Sequence, residues 1–203
     1  MSHSSTAAFQ PVSAKLHRER SHMLIIDIQE RLAPAVLDHE ALIIRVDRLV
    51  RLAKLMEIPI TVSEQYPKGL GATVSSLRET VGNAGVFLEK LHFSCAAEEK
   101  FARHFARLRD AGRHQILLAG MEAHVCVAQS ALDLAAAGYQ TFVAADAVSA
   151  RTRKSRDLAL DRMRQAGCII TDTEMAMFEW TERAGTPEFK EMQAMIKEAA
   201  AVK

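Results

Sequence analysis

Cysteine is scarce in this chain: 203 residues hold three, Cys95, Cys126 and Cys168, far apart and with no CxxC pair. That leaves no basis for a disulfide framework or a zinc ribbon, and a reducing cytosol is the expected compartment. An excess of one charge is also missing, with 26 basic residues against 25 acidic. No polyanionic partner is implied, so neither nucleic acid nor an acidic membrane surface is expected. No run approaches the ~18 consecutive apolar residues of a membrane span. The first 22 residues lack the apolar stretch of a secretory signal. Within them "SAKLHRER" is basic and Ser-flanked, faintly like an organelle transit peptide, but a polar arm over 1–19 is the expected role.

What is present matches a soluble globular chain: 49% hydrophobic and 25% charged residues, at a length suited to one domain or a domain with a small appendage. Short apolar runs rich in β-branched residues alternate with longer segments of helical period, the pattern of a parallel α/β sheet. Six strands are predicted: "MLIIDI" (23–28), "IPITVSE" (58–64), "VFLEK" (86–90), "HQILLAG" (114–120), "QTFVAAD" (140–146) and "CIITD" (168–172). Their continuous apolar character fits strands buried on both faces. Helices are predicted over 41–56, 96–110, 124–137, 153–166 and 173–183. A C-terminal helix within 186–203, with Thr186 as N-cap and Pro187 at its first position, would pack on the domain or on a partner subunit. The segment 64–85, with four Gly and one Pro, reads as a functional loop enclosing one short helix.

In an open parallel sheet, ligands bind outside the carboxyl ends of the strands, near the point where strand order reverses. Three unlike residues fall there. Asp27 sits in "LIIDIQ", between isoleucines, where a carboxylate is out of place unless paired or working. Lys90 ends the third strand, and Cys126 follows the fourth at the start of a helix. A thiol at a helix N-terminus beside an ammonium is stabilised as thiolate, and a nearby carboxylate can take its proton. Backbone N–H groups around 122–126 would face the oxyanion formed when that sulfur attacks a carbonyl. Each residue also has a plain reading: a buried structural Asp, a strand-end Lys reaching solvent, and a small core Cys.

The chain resembles the isochorismatase-like cysteine hydrolases. The resemblance is carried by "LIIDIQERL", "SEQYPKGLG", "LEKLHFSC", "LLAGMEAHVCVAQSALDLAAAGYQTFVAADAVSAR" and "ALDRMRQAG", spanning roughly 20–180, with "SEQYPKGLG" and "MEAHVC" most like the short isochorismatase-domain branch. It implies a three-layer Rossmann-like α/β fold with a six-stranded parallel sheet of order 3-2-1-4-5-6, helices on both faces, a hydrolase domain over 20–185, and a homo-oligomer. It implies Cys126 as nucleophile, Asp27 as general base and Lys90 as support for the thiolate. It also implies a cis peptide between Met121 and Glu122, with the amides of Glu122 and Cys126 at the oxyanion. Nicotinamidases of the family bind a metal through one Asp and two His between the Asp and Lys blocks. Here no His lies between His39 and His92 and no Asp between Asp47 and Asp110, so neither metal nor other cofactor is expected.

Gln65, Tyr66 and Phe93, in loops bordering the site, are candidates to contact a small-molecule substrate. So is His124, for which a direct dyad with Cys126 is disfavoured because helical residues two apart face different ways. Cys95 is a rival thiol and Cys168 reads as core. Arg151 and Thr152 read as capping or subunit-contact residues. The expected activity is hydrolysis of a small amide-like C–N bond through a thioacyl intermediate. The rivals are a non-enzymatic or redox-responsive oligomeric binding protein that keeps the fold, and a structural scaffold subunit.

Overall fold

A computed structural model describes residues 14–200, so most of the predicted arm, and residues 201–203, lie outside the described residues. The six strands are β1 (Ser21–Ile26), β2 (Ile60–Gln65), β3 (Gly85–Lys90), β4 (Gln115–Met121), β5 (Gln140–Ser149) and β6 (Ile169–Thr171). All pair in parallel, in the order β3-β2-β1-β4-β5-β6. Strand residues alternate between two cores, as a period of two requires. Met23 and Ile25 join the core that also takes α1 (His39–Leu55), α7 (Thr173–Thr181) and α8 (Pro187–Ala200). Leu24 and Ile26 join the other, with α4 (Glu99–Asp110), α5 (Ala128–Ala136) and α6 (Arg153–Gln165). In α1 the buried residues Leu42, Val46, Leu49 and Ala53 form the stripe that the spacing predicts.

Differences from the sequence reading concentrate in three places. The segment after β2 folds into two helices, α2 (Pro67–Leu70) and α3 (Ser75–Val81), where one was expected. β5 runs on to Ser149, because opposite Leu118 and Gly120 of β4 its register advances from Val143 to Val148. The added length is "AVS", and the Asp before it and the Ser at its end imitate a turn signal. The end of the predicted arm is packed into the domain: Leu16 is fully buried, its N–H donating to Glu179 Oε2 at 2.7 Å. Gln115 holds the same stretch, accepting from His17 N at 2.7 Å and donating to Lys15 O at 2.9 Å. At the other terminus Thr186 Oγ1 accepts from Phe189 N at 3.1 Å, and α8 buries Met192 and Met195 against the α1 and α7 core.

Gly120 sets the spacing at the centre of the sheet. It lies opposite Ile26 in the β1–β4 ladder, at φ +128°, and a Cβ there would come within 2.1 Å of the Ile26 carbonyl oxygen. Only glycine lets the two backbones approach so closely where their carboxyl ends meet.

At the opposite end of β1 the His22 ring is fully buried against Phe105, centroids 5.2 Å apart, and neither nitrogen makes a well-formed hydrogen bond. Burial first, then the neighbouring His104, pushes its pKa down to about 3 from 6.5. The unfolded chain therefore takes up this proton first as pH falls. Stability should drop by about 1.4 kcal/mol per pH unit below 6.5 and level off near 3. Chemical denaturation of His22→Phe across this range should show a flatter acid slope than the native chain. Parallel slopes would assign the acid loss to other groups.

Candidate active site

Four strands deliver the site. Ile26, the last residue of β1, is in register with Ser63 of β2 on one side and Gly120 of β4 on the other, and Gln65 of β2 is in register with Lys90 of β3. Asp27 follows directly, at φ +52°, a left-handed conformation that turns its side chain off the strand path. Asp27 and Lys90 meet as a wholly buried ion pair, Nζ to Oδ2 2.7 Å, both side chains at 0% exposure. Lys90 Nζ also donates to Gln65 Oε1 at 2.6 Å, Phe93 O at 3.0 Å and His92 O at 3.3 Å. With Asp27 these make four acceptors around an ammonium that has three N–H bonds to share. Asp27 Oδ2 thus receives the charge without a well-directed hydrogen bond, while Oδ1 accepts from Ser63 Oγ at 2.6 Å. Burial opposes the Lys90 charge, but facing negative charge, that of Asp27 first, raises its pKa overall.

Cys126, at 5% exposure, neighbours both Asp27 and Lys90. Two expectations change here. The residue sits in a π-helical turn, Ala123–Val127, that precedes α5, so it does not start a regular helix. Its pKa is raised: burial is the largest cause, Asp27 adds to it, and Lys90 only partly offsets them. The resting group is a neutral thiol with a carboxylate oxygen beside it, in place of the expected thiolate. Cys95, in a 3-10 turn over Cys95–Ala97, is fully buried and feels the same Asp27 and Lys90, its pKa pushed up to about 11 chiefly by burial. Its backbone N–H donates to Ser130 Oγ at 2.9 Å. Cys168 is buried in the α4–α6 core, away from these groups.

The Met121–Glu122 peptide bond is cis. The Glu122 carboxylate, at 7% side-chain exposure, is gripped in two places by Arg151, Nε to Oε1 2.6 Å and Nη2 to Oε2 3.0 Å. Arg151 thereby ties the end of β5 to the turn that carries Cys126, while Thr152 caps α6 by accepting from Ser155 N at 3.1 Å. Gln65 is engaged by neighbouring groups. It is buried, its Oε1 on Lys90, its Nε2 donating to Leu91 O at 2.9 Å and its backbone N–H to Gln29 Oε1 at 2.8 Å. Tyr66 lines a cavity of about 380 Å³ with Pro67, Lys68, Lys90, Leu91 and Lys100 among others, but Cys126 is not in its wall. Phe93 is exposed, and His124 is half-buried with Nδ1 unpartnered. The roles of Ser63 and Gln29 were missed from the sequence, where polar residues in a strand carry no partner label. Among the described residues no cluster of three His, Cys, Asp or Glu side chains could hold a metal ion. None of the described helices is long and apolar enough to cross a membrane.

The loop that supplies His92 O and Phe93 O is itself pinned by Glu98. Its Oε1 accepts from Leu91 N at 2.7 Å, His92 N at 2.9 Å and His92 Nδ1 at 3.0 Å. The His92 and Leu91 amides lower its pKa to about 2 from 4.5. A carboxylate depressed in this way stabilises the fold fully above its ordinary value and loses that contribution as pH falls through the lowered one. The stability gap between the native chain and Glu98→Ala should be widest at neutral pH and narrow below 4.5. A gap independent of pH would show that the carboxylate charge is not what pins the loop.

The isochorismatase domain family matches residues 21–175. A secreted isochorismatase effector, Isc1, of Phytophthora sojae is 37% identical over 95% of this chain and 93% of its own length. Isochorismatase domain-containing protein 1 of Salmo salar is 39% identical over 86% of this chain, which spans only 60% of that protein. Among solved structures, the MAR1 ribonuclease of Caenorhabditis elegans superposes with a TM-score of 0.83 at 33% identity, covering 90% of this chain and 92% of that one. With this fold, this strand order and a match over most of its length, the chain belongs to the isochorismatase-like hydrolase family.

Proposed function

We propose that the chain is a cysteine-dependent hydrolase of small amide-like substrates, working through a thioacyl intermediate without metal or other cofactor. The observation that carries this reading is the enclosure of Cys126 with the Asp27–Lys90 pair at the carboxyl edge of the central strands. In the first step the Cys126 S–H proton passes to Asp27 Oδ2 as sulfur bonds to the carbonyl carbon. The oxyanion is held by the amides of Glu122 and Cys126. Collapse breaks the C–N bond, and the leaving nitrogen takes the proton back from Asp27. Water then attacks the thioester, giving its proton to Asp27. The sulfur departs, recovers that proton, and a carboxylic acid is released. A thiol that ionises only as it attacks fits its raised pKa, and Lys90 offsets the negative charge that then shares the buried site.

Exposed Tyr66, Leu91 and Phe93 near the site fit a homo-oligomer that would cover them. The balanced charge and the spacing of the three cysteines fit a cytosolic protein with no nucleic-acid partner. A second reading, enol ether hydrolysis, is favoured by the name of the Phytophthora relative. In that chemistry a protonated Asp27 would deliver a proton to carbon, and Cys126 would not be needed as nucleophile.

A panel of small amides, hydroxamates, enol ethers and RNA, run with and without chelator, separates these. Amide turnover should survive chelator and fall by roughly 10²-fold or more in both Cys126→Ala and Asp27→Asn. Enol ether turnover that survives Cys126→Ala would favour the second reading, and loss of activity with chelator would overturn the metal-free one. No turnover on any member would favour a binding protein that keeps the fold.

A further inference from the structure

We propose that Ser63 is a positioning residue: its hydroxyl fixes the rotation of the Asp27 carboxylate so that Oδ2 faces the Cys126 thiol. The inference rests on the reading of Asp27 as the base. Ser63 is fully buried on β2 and holds Asp27 twice, its Oγ donating to Oδ1 at 2.6 Å and its carbonyl accepting from Asp27 N at 3.2 Å. A serine hydroxyl has one proton, and an ionised carboxylate can only accept, so that proton is committed to Oδ1. The Cys95 thiol neighbours both Ser130 and Ser63, and with the Ser63 proton committed to Asp27 it can approach that hydroxyl only as a donor. Its backbone is anchored through its N–H to Ser130 Oγ.

Positioning is needed here because the other side of the carboxylate is held loosely in direction. The Lys90 ammonium, 2.7 Å from Oδ2, shares its three N–H bonds with Gln65, His92 and Phe93, so it constrains the angle of the carboxylate plane less than a dedicated donor would. The charged and titratable groups facing Asp27 are Lys90 from β3, Cys126 from the π-turn and Cys95 from the 3-10 turn. Of its neighbours, Ser63 alone is shown donating a directed hydrogen bond to Oδ1 among the described residues.

The test needs no substrate: iodoacetamide labelling of Cys126, located by peptide mass spectrometry, timed across a pH series in the full chain. Ser63→Ala should label Cys126 about tenfold more slowly than the native chain, because a misplaced base loses its proton acceptor geometry. Ser63→Thr keeps the hydroxyl and should restore the rate. Ser63→Cys, with a weaker donor in the same place, should fall between and replaces the alanine variant if that fails to fold. A native-like profile in Ser63→Ala or Ser63→Cys, or a threonine variant as slow as alanine, would overturn the proposal. Asp27→Asn distinguishes the underlying failure: if it labels as fast as the native chain, the base assignment falls and the Ser63 role with it. If Asp27→Asn is slow and Ser63→Ala is not, only the Ser63 role falls.

Discussion

The site depends on one ion pair. Asp27 and Lys90 have both been taken wholly out of water, and removing either partner from such a pair leaves an uncompensated buried charge, at a cost of about 3–5 kcal/mol. Much of the surrounding polar structure follows from that cost. Gln65, Phe93 and His92 share the ammonium, Ser63 satisfies one carboxylate oxygen, and Gln29 holds Gln65 by accepting from its N–H and donating to its carbonyl oxygen at 3.0 Å. A hydrophobic pair of equal volume would fill this space at lower electrostatic cost. Retention of charge here therefore points to chemistry more than to stability.

Two further carboxylates act at a distance from the pair, in opposite settings. Glu98 gathers backbone amides of the β3 loop, and Glu122 is clamped by an exposed arginine from the end of β5. The first fixes where the carbonyls that hold Lys90 sit. The second fixes the turn that presents Cys126. The sulfur and the ammonium are thus held to the frame by separate segments, so that their relative placement does not rest on a single loop.

Most of this architecture was legible in the sequence because its signals are strong and local. Continuous apolar runs such as "LIIDI" can be satisfied only by strands covered on both faces, and a carboxylate inside one must have a buried partner. What escaped was non-local or cooperative. The extra length of β5 follows from its register shift against β4, which the sequence of β5 alone does not carry. Gln65 looked like a pocket residue because it stands next to a loop, whereas its side chain is consumed by Lys90. The charge state of Cys126 was misjudged because a helix dipole and a lysine were weighed without the burial and the facing carboxylate that outweigh them. Ser63 and Cys95 could not be assigned from sequence, since their partners lie on other elements.

Gly120 has a consequence for how such a site can diversify. With the β1 and β4 backbones in contact beneath Asp27, the spacing of the two strands that lead to Asp27 and to the Cys126 turn is set by main chain. Exposed residues nearby, such as Tyr66, Leu91 and Phe93, can then be exchanged without altering that spacing. The glycine acts as a fixed gauge between two interchangeable parts, and divergence within this family can be sought in the walls while the gauge stays constant.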